Sequence, residues 1–278
     1  RVSVKRKTAM WVGAASITVS AGVGVWWVLS TKSLPSADSL RIITAAQEVI
    51  KGNMSALTET FYFKTYPFQT GYLLFAEGFL RLFGSGALIA FQLLNVLFVV
   101  AAEIAMLLIT KELFNDARVE LLTAILLGLC IQPMLLSTFL YGTLPGMCLA
   151  IWSIYFVIRS MRTQKLTALI PAVILIAIAI FLKKNFWIVL LAESILLLLF
   201  VLREKKWAMA SFVVVAMALS LVLPTISQKI YEDKAGEPFG KGTPQMAWLV
   251  TGFRDSSLCV GWYNGYTNNI LMQNDYNY

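Results

Sequence analysis

The sequence predicts an all-α integral membrane protein with about seven transmembrane helices and two interfacial helices in its first outer loop. Three observations carry this reading. Hydrophobic residues occupy 58% of the 278 positions and charged residues only 14%, with a mean hydropathy of +0.73, which leaves too little polar surface to coat a soluble globule. Several apolar runs reach the length of a bilayer crossing. The basic residues behind the net charge of +8 fall in short clusters between those runs, where they set topology. That placement argues against nucleic acid as a partner.

Arg1, Lys5, Arg6 and Lys7 precede the first apolar run, at about 9–30. The positive-inside rule then expects a cytoplasmic N-terminus. The run has the length of a true span, and no clear small-x-small cleavage site follows it, which favours a retained helix over a signal peptide. The loop 31–84 is therefore expected on the outer face. Within it Leu40, Ile42, Ile43, Ala46, Val49 and Ile50 recur at helical spacing before the stop signal Gly52-Asn53. So short an amphipathic helix lies in the interface rather than across it. An aromatic stretch ending at Tyr66-Pro67-Phe68 follows, and then a second interfacial helix over 71–83, where Glu77 and Arg81 do not suit a lipid-exposed span.

The remaining spans are expected at about 87–109, 121–140, 144–158, 166–182, 186–202 and 207–223. Residues 1–225 thus form a transmembrane module. An extracytoplasmic aromatic and polar segment, 226–278, follows; 236–244 is its turn-rich linker, and it is expected to lead into a further C-terminal part. The connections assigned to the cytoplasm carry 12 Lys/Arg, whereas the outer corners hold only Lys183 and Lys184. Two ammonium groups at one tight outer corner call for a counter-anion. A lipid phosphate is one reading, and snorkelling to headgroups at a helix end is the other. Glu103 and Glu193, inside the second and sixth spans, are expected to face the bundle or water.

The residue inventory narrows the chemistry. No histidine is present, which excludes a Ser-His-Asp triad and His-ligated zinc within this chain. Cys130 and Cys148 lie in apolar runs and Cys259 in the polar tail, so there is no disulfide framework. Asp38, just beyond the first span and at the head of the first interfacial helix, has two readings: a helix cap or a general base. In the tail, Trp248, Trp262, Tyr263, Asn264 and Tyr266 set ring faces beside hydrogen-bonding groups. That mixture suits a sugar, although residue by residue it is better read as anchoring at the membrane interface.

Several segments carry a family resemblance: Ser36-Ala37-Asp38-Ser39 opening the outer loop, Tyr66-Pro67-Phe68, the corner Phe139-Leu140-Tyr141-Gly142-Thr143-Leu144-Pro145, and Lys183-Lys184-Asn185. Two later stretches, 244–253 and Gly261-Trp262-Tyr263-Asn264-Gly265-Tyr266, complete the series. Their order resembles the GT-C superfamily of bacterial membrane glycosyltransferases, which use polyprenyl-phosphate-linked sugars. The resemblance covers essentially the whole chain and implies a plasma-membrane enzyme moving a sugar from a polyprenyl-phosphate carrier to an extracytoplasmic cell-envelope glycan or lipid. It favours Asp38 as the base; the chemistry of such a transfer then puts Lys183 and Lys184 at the donor phosphate, and Tyr66 with the tail residues Trp248, Trp262, Tyr263, Asn264 and Tyr266 are the candidate sugar-binding groups. Many members have a paired acid where this chain has Asp38-Ser39, and a second proline where it has Phe68. One carboxylate is a poor site for a divalent ion, so no metal and no cofactor are expected. Two readings from other classes remain at this point: a transporter or lipid flippase using Glu103 and Glu193 as coupling groups, and a noncatalytic membrane subunit.

Overall fold

A computed structural model of the protein describes residues 4–59, 62–244 and 252–253. The tail residues Trp248, Trp262, Tyr263, Asn264 and Tyr266, and with them Cys259, lie outside the described residues. Every regular element described is helical. The helices are α1 (Arg6–Thr31), α2 (Ala37–Ile50), the single turns α3 (Ser55–Thr58) and α4 (Tyr62–Thr65), α5 (Thr70–Phe83) and α6 (Ala87–Phe114). They continue with α7 (Ala117–Leu129), the turn α8 (Gln132–Leu135), α9 (Thr143–Thr163), α10 (Leu169–Leu182), α11 (Trp187–Glu204) and α12 (Ser211–Ala235).

Six helical stretches among these are long and apolar enough to cross a membrane, and Leu166–Leu182 is a shorter apolar helix. The chain is a multi-pass membrane protein with about seven spans, as its apolar runs predict. Small residues explain how the spans approach one another. The buried stripe of α1 is Ala9, Gly13, Ser20, Gly24 and Val28. A Cβ on Gly24 would meet Met134 and Val96, and one on Gly128 of α7 would meet Ser16. Helix association in lipid relies on such close contact because apolar burial distinguishes little between helix and tail. Farther along, α9 packs on α6 and α10, and α12 on α10 and α5.

Two expectations are refined. The third apolar run is not one helix: α7 stops at Leu129, Cys130 turns aside, and α8 and a 3-10 turn (Leu136–Thr138) finish the passage. Pro133, which has no N–H to give to a helical ladder, sits at the start of α8. In addition, α12 continues beyond the expected end of the last span at 223 to Ala235, with Pro224 inside it. Between α5 and α6 the backbone bends at Gly84, whose φ of 53° and ψ of −129° suit glycine.

The connections sort into two ends. At one, Arg6 reaches Asn115 and Glu120, and Arg162 reaches Glu112. At the other, α2, α5, the corner at 139–142, the end of α10 and the last turns of α12 share one core that includes Ile42, Tyr72, Tyr141, Leu182 and Tyr231. The two helices expected as interfacial build this second end. Glu103 and Glu193 are 5% and 3% exposed, inside the bundle as intramembrane carboxyls require.

Candidate functional site

The site grows from the start of α2. Ser36 is extended, Ala37 takes a left-handed φ of 49°, and the helix begins there. A left-handed alanine costs about 1–2 kcal/mol, and strain of this kind persists only where the surroundings impose it. Ser36 makes no side-chain cap bond, and Asp38 lies inside the first turn rather than at the cap position. Ile42, Ile43, Ala46 and Val49 are buried and hold α2 in place. Asp38 itself is exposed, while the neighbouring Ser39 is fully buried. Its carboxylate Oδ2 accepts from the Tyr141 hydroxyl at 3.5 Å.

Tyr141 stands on the corner between α8 and α9, and that corner is pressed onto the end of α10. A Cβ on Gly142 would run into the Leu182 carbonyl, and one on Gly71 into the Phe181 carbonyl. Glycine at both positions lets α5 and the tyrosine corner touch the backbone that carries the lysines. Lys183 then places its ammonium 4.4 Å from the centre of the Tyr141 ring and donates to Thr143 Oγ1 at 2.7 Å. Lys184 sits 5.3 Å from the Phe68 ring. The Tyr141 hydroxyl also accepts from Gln69 Nε2. The ring centres of Tyr62 and Tyr66 lie 5.1 Å apart, and those of Tyr66 and Phe68 6.1 Å apart.

The electrostatics follow from this crowding. Burial, reinforced by the Asp38 carboxylate, pushes the Tyr141 phenol up to about 12. Burial is also the main reason that the Tyr62 phenol lies well above its ordinary value, with Tyr141 and Asp38 adding to it. Lys183 is held below the ordinary lysine value by burial, against the opposing pull of Asp38. Both phenols stay protonated at neutral pH and can act only as neutral groups.

The segment 236–244 is not a loose linker. Phe239 is 3% exposed and stacks on Phe63 at 6.0 Å. The Thr243 N–H and hydroxyl both donate to the Thr65 carbonyl, at 2.9 and 3.0 Å, and Gly242, with a φ of 72°, lies against Pro67. This clasp holds α4 and the Tyr66-Pro67-Phe68 step from the outside.

Asp38, Lys183, Lys184 and Tyr66, read separately from the sequence, are thus gathered around the rings of Tyr141, Phe68 and Tyr62. Such a group offers a carboxylate, two cations and a set of aromatic faces at one end of a membrane bundle. A family model described as dolichyl-phosphate-mannose-protein mannosyltransferase matches residues 70–227, more than half of the chain. The chain belongs to the dolichyl-phosphate-mannose-protein mannosyltransferase family. It is therefore a membrane glycosyltransferase that takes its sugar from a lipid-linked donor, in agreement with the GT-C resemblance. No curated protein and no solved structure matches it. The matched region includes Tyr141, Lys183 and Lys184 and begins beyond Asp38. Membership in this family favours the enzyme reading over a transporter.

The sequence reading assigned no role to Gln69, Thr143 or Tyr141. Tyr141 was visible only as one letter of the corner Phe139–Pro145. Nothing local marks it, because its partners come from α2, α5 and the end of α10.

Proposed function

We propose that this mannosyltransferase-family protein transfers a sugar from a polyprenyl-phosphate carrier to a hydroxyl of an extracytoplasmic cell-envelope glycan or lipid. Asp38 serves as the general base, and Lys183 and Lys184 bind the donor phosphate. The observation that carries the reading is the meeting of the Asp38 carboxylate and the Lys183 ammonium at Tyr141. In the reaction the acceptor oxygen bonds to the anomeric carbon while the bond from that carbon to the phosphate oxygen breaks. The acceptor proton passes to Asp38, and the polyprenyl phosphate leaves with the additional negative charge. Fixed cations beside the departing phosphate stabilise that charge as it develops, so one carboxylate and a positive corner suffice without a metal ion.

Orientation follows from charge. The end carrying Arg6, Arg118, Arg162 and the other basic connections faces the cytoplasm, and the end carrying Asp38 faces outward. Tyr66 and the tail residues Trp248, Trp262, Tyr263, Asn264 and Tyr266 are assigned to the sugar or acceptor side.

Membranes containing the full-length protein, supplied with dolichyl-phosphate mannose as probe donor, test the assignment. Asp38→Asn is expected to lower turnover about 100-fold or more, the scale of general-base catalysis, with donor affinity nearly intact. Joint replacement Lys183→Ala and Lys184→Ala is expected to weaken donor binding without loss of expression. Wild-type turnover in Asp38→Asn overturns the base assignment, and unchanged affinity in the lysine variant returns those residues to headgroup snorkelling.

A further inference from the structure

We infer that Tyr141 is a two-sided positioning residue for this reaction: its hydroxyl orients the Asp38 carboxylate, and its ring face fixes the Lys183 ammonium at the donor phosphate. This inference rests on the proposed roles of Asp38 and Lys183 and adds the element that couples them.

The two contacts use different parts of one side chain. The hydroxyl accepts from Gln69 Nε2, which leaves its own proton to point elsewhere, and the carboxylate Oδ2 of Asp38 lies 3.5 Å away. That distance is at the long end of hydrogen bonding, a common state for catalytic contacts that tighten when substrate binds. The ring face is occupied by the ammonium of Lys183 at 4.4 Å, and a cation so placed is drawn to the ring quadrupole. A second bond, to Thr143 Oγ1, ties the ammonium to the first turn of the helix that follows Tyr141. The ammonium has three donors, so both contacts leave capacity for a phosphate oxygen.

The surroundings make Tyr141 rigid enough for the task. It is 8% exposed, its ring packs edge-on to Tyr72 with centres 5.5 Å apart, and Gly142 beside it lies against the backbone of α10. With its phenol raised to about 12, the hydroxyl keeps its proton through the physiological range. It therefore donates to the carboxylate and never competes with it as a base.

Substitutions that divide the side chain test this. Tyr141→Phe keeps the ring and removes the hydroxyl; Tyr141→Leu removes both contacts. With full-length protein in detergent, affinity is read with a polyprenyl monophosphate as probe, and turnover with dolichyl-phosphate mannose. Tyr141→Phe is expected to hold affinity within about twofold and lower kcat about tenfold, the scale of a hydrogen bond to a charged group. Tyr141→Leu is expected to lose about tenfold in affinity as well, within the range of a desolvated cation–ring contact. Combining it with Lys183→Ala is expected to cost no further affinity, since both act on one cation. Gln69→Leu, which removes one donor to the hydroxyl and leaves the hydroxyl itself in place, is expected to hold affinity as Tyr141→Phe does and to lower kcat by less.

Identical behaviour of the Phe and Leu variants, or additive losses in the double variant, overturns the inference. If Lys183→Ala itself leaves affinity unchanged, the donor-phosphate reading fails first. If Lys183→Ala weakens binding and Tyr141→Leu does not, only the role of Tyr141 falls. Elution of each variant as a single monodisperse peak separates these outcomes from misfolding.

Discussion

Half-buried against a phenol ring and across from a carboxylate, the Lys183 ammonium is held below the ordinary lysine value by burial, with Asp38 pulling the other way. If this cation binds the donor phosphate, the protonated form is the competent one. Affinity is then full below the pKa in the folded protein and is lost as pH rises through it. Because that pKa is depressed, the loss begins below the ordinary lysine value of about 10.4. The titratable groups facing the ammonium are Asp38 and Tyr141, whose phenol is pushed up to about 12. Lys183→Arg, which stays charged throughout, is expected to remove the alkaline loss of polyprenyl monophosphate affinity. An identical alkaline profile in the arginine variant would place the titration elsewhere. At this scale the sequence made Asp38 and the two lysines legible, because a charge beside a membrane span is costly wherever it falls. Tyr141 stayed hidden because one aromatic among many carries no such signature.

Among the elements, the contact between the tyrosine corner and α10 depends on glycine for space rather than for backbone freedom. Gly142 has a φ of −65°, which any residue adopts, so an alanine there is disfavoured only by the Leu182 carbonyl that its Cβ would strike. Gly146 meets the Phe186 ring, a side chain that can turn away. Gly142→Ala is therefore expected to destabilise the protein by about 1–3 kcal/mol, the usual cost of overpacking, and to weaken polyprenyl monophosphate binding by shifting Lys183. Gly146→Ala is expected to do less of both. Thermal unfolding in detergent alongside the affinity measurement checks the pair, and equal effects at the two glycines would count against the backbone contact. The sequence disclosed the seven apolar runs and both amphipathic helices, since periodicity and length are local properties. It concealed the break after Leu129, where Gln132 and Pro133 lie inside a run long enough to read as one span, and the extension of α12 through Pro224. Both are decided by neighbouring helices that accept the altered backbone.

Across the whole molecule, one end is fastened by contacts between residues far apart in the chain. Tyr231 of α12 donates to Glu77 of α5 at 2.6 Å, with Arg81 and Lys234 beside the same carboxylate. A few residues later the clasp folds back over α4. The composition of 236–244, rich in glycine and proline, reads as a linker because turns and linkers share those residues. What distinguishes the two is Phe239, whose burial against Phe63 needs a partner nearly 180 residues earlier. The surface pair of Lys64 and Glu237, 3.1 Å apart and partly exposed, contributes little by comparison, since solvent screens it. The clasp follows the last turn of α12 and adds only Phe239 to the core at this end, and a segment at such a margin is expected to open at a lower free energy than the bundle. Phe239→Ala is therefore expected to speed protease cleavage within 236–244 about tenfold, the signature of a lowered local opening energy, while the thermal midpoint of the bundle stays near that of the wild type. Lys64→Ala is expected to change neither. Cleavage at the wild-type rate in Phe239→Ala would show that the aromatic contact does not hold the clasp. A matching acceleration in Lys64→Ala would transfer that role to the ion pair. Because Thr243 holds the Thr65 carbonyl one residue before Tyr66, an opened clasp also frees the aromatic step beside Lys184. Turnover with dolichyl-phosphate mannose is then expected to fall in Phe239→Ala even though Asp38, Tyr141 and both lysines are untouched.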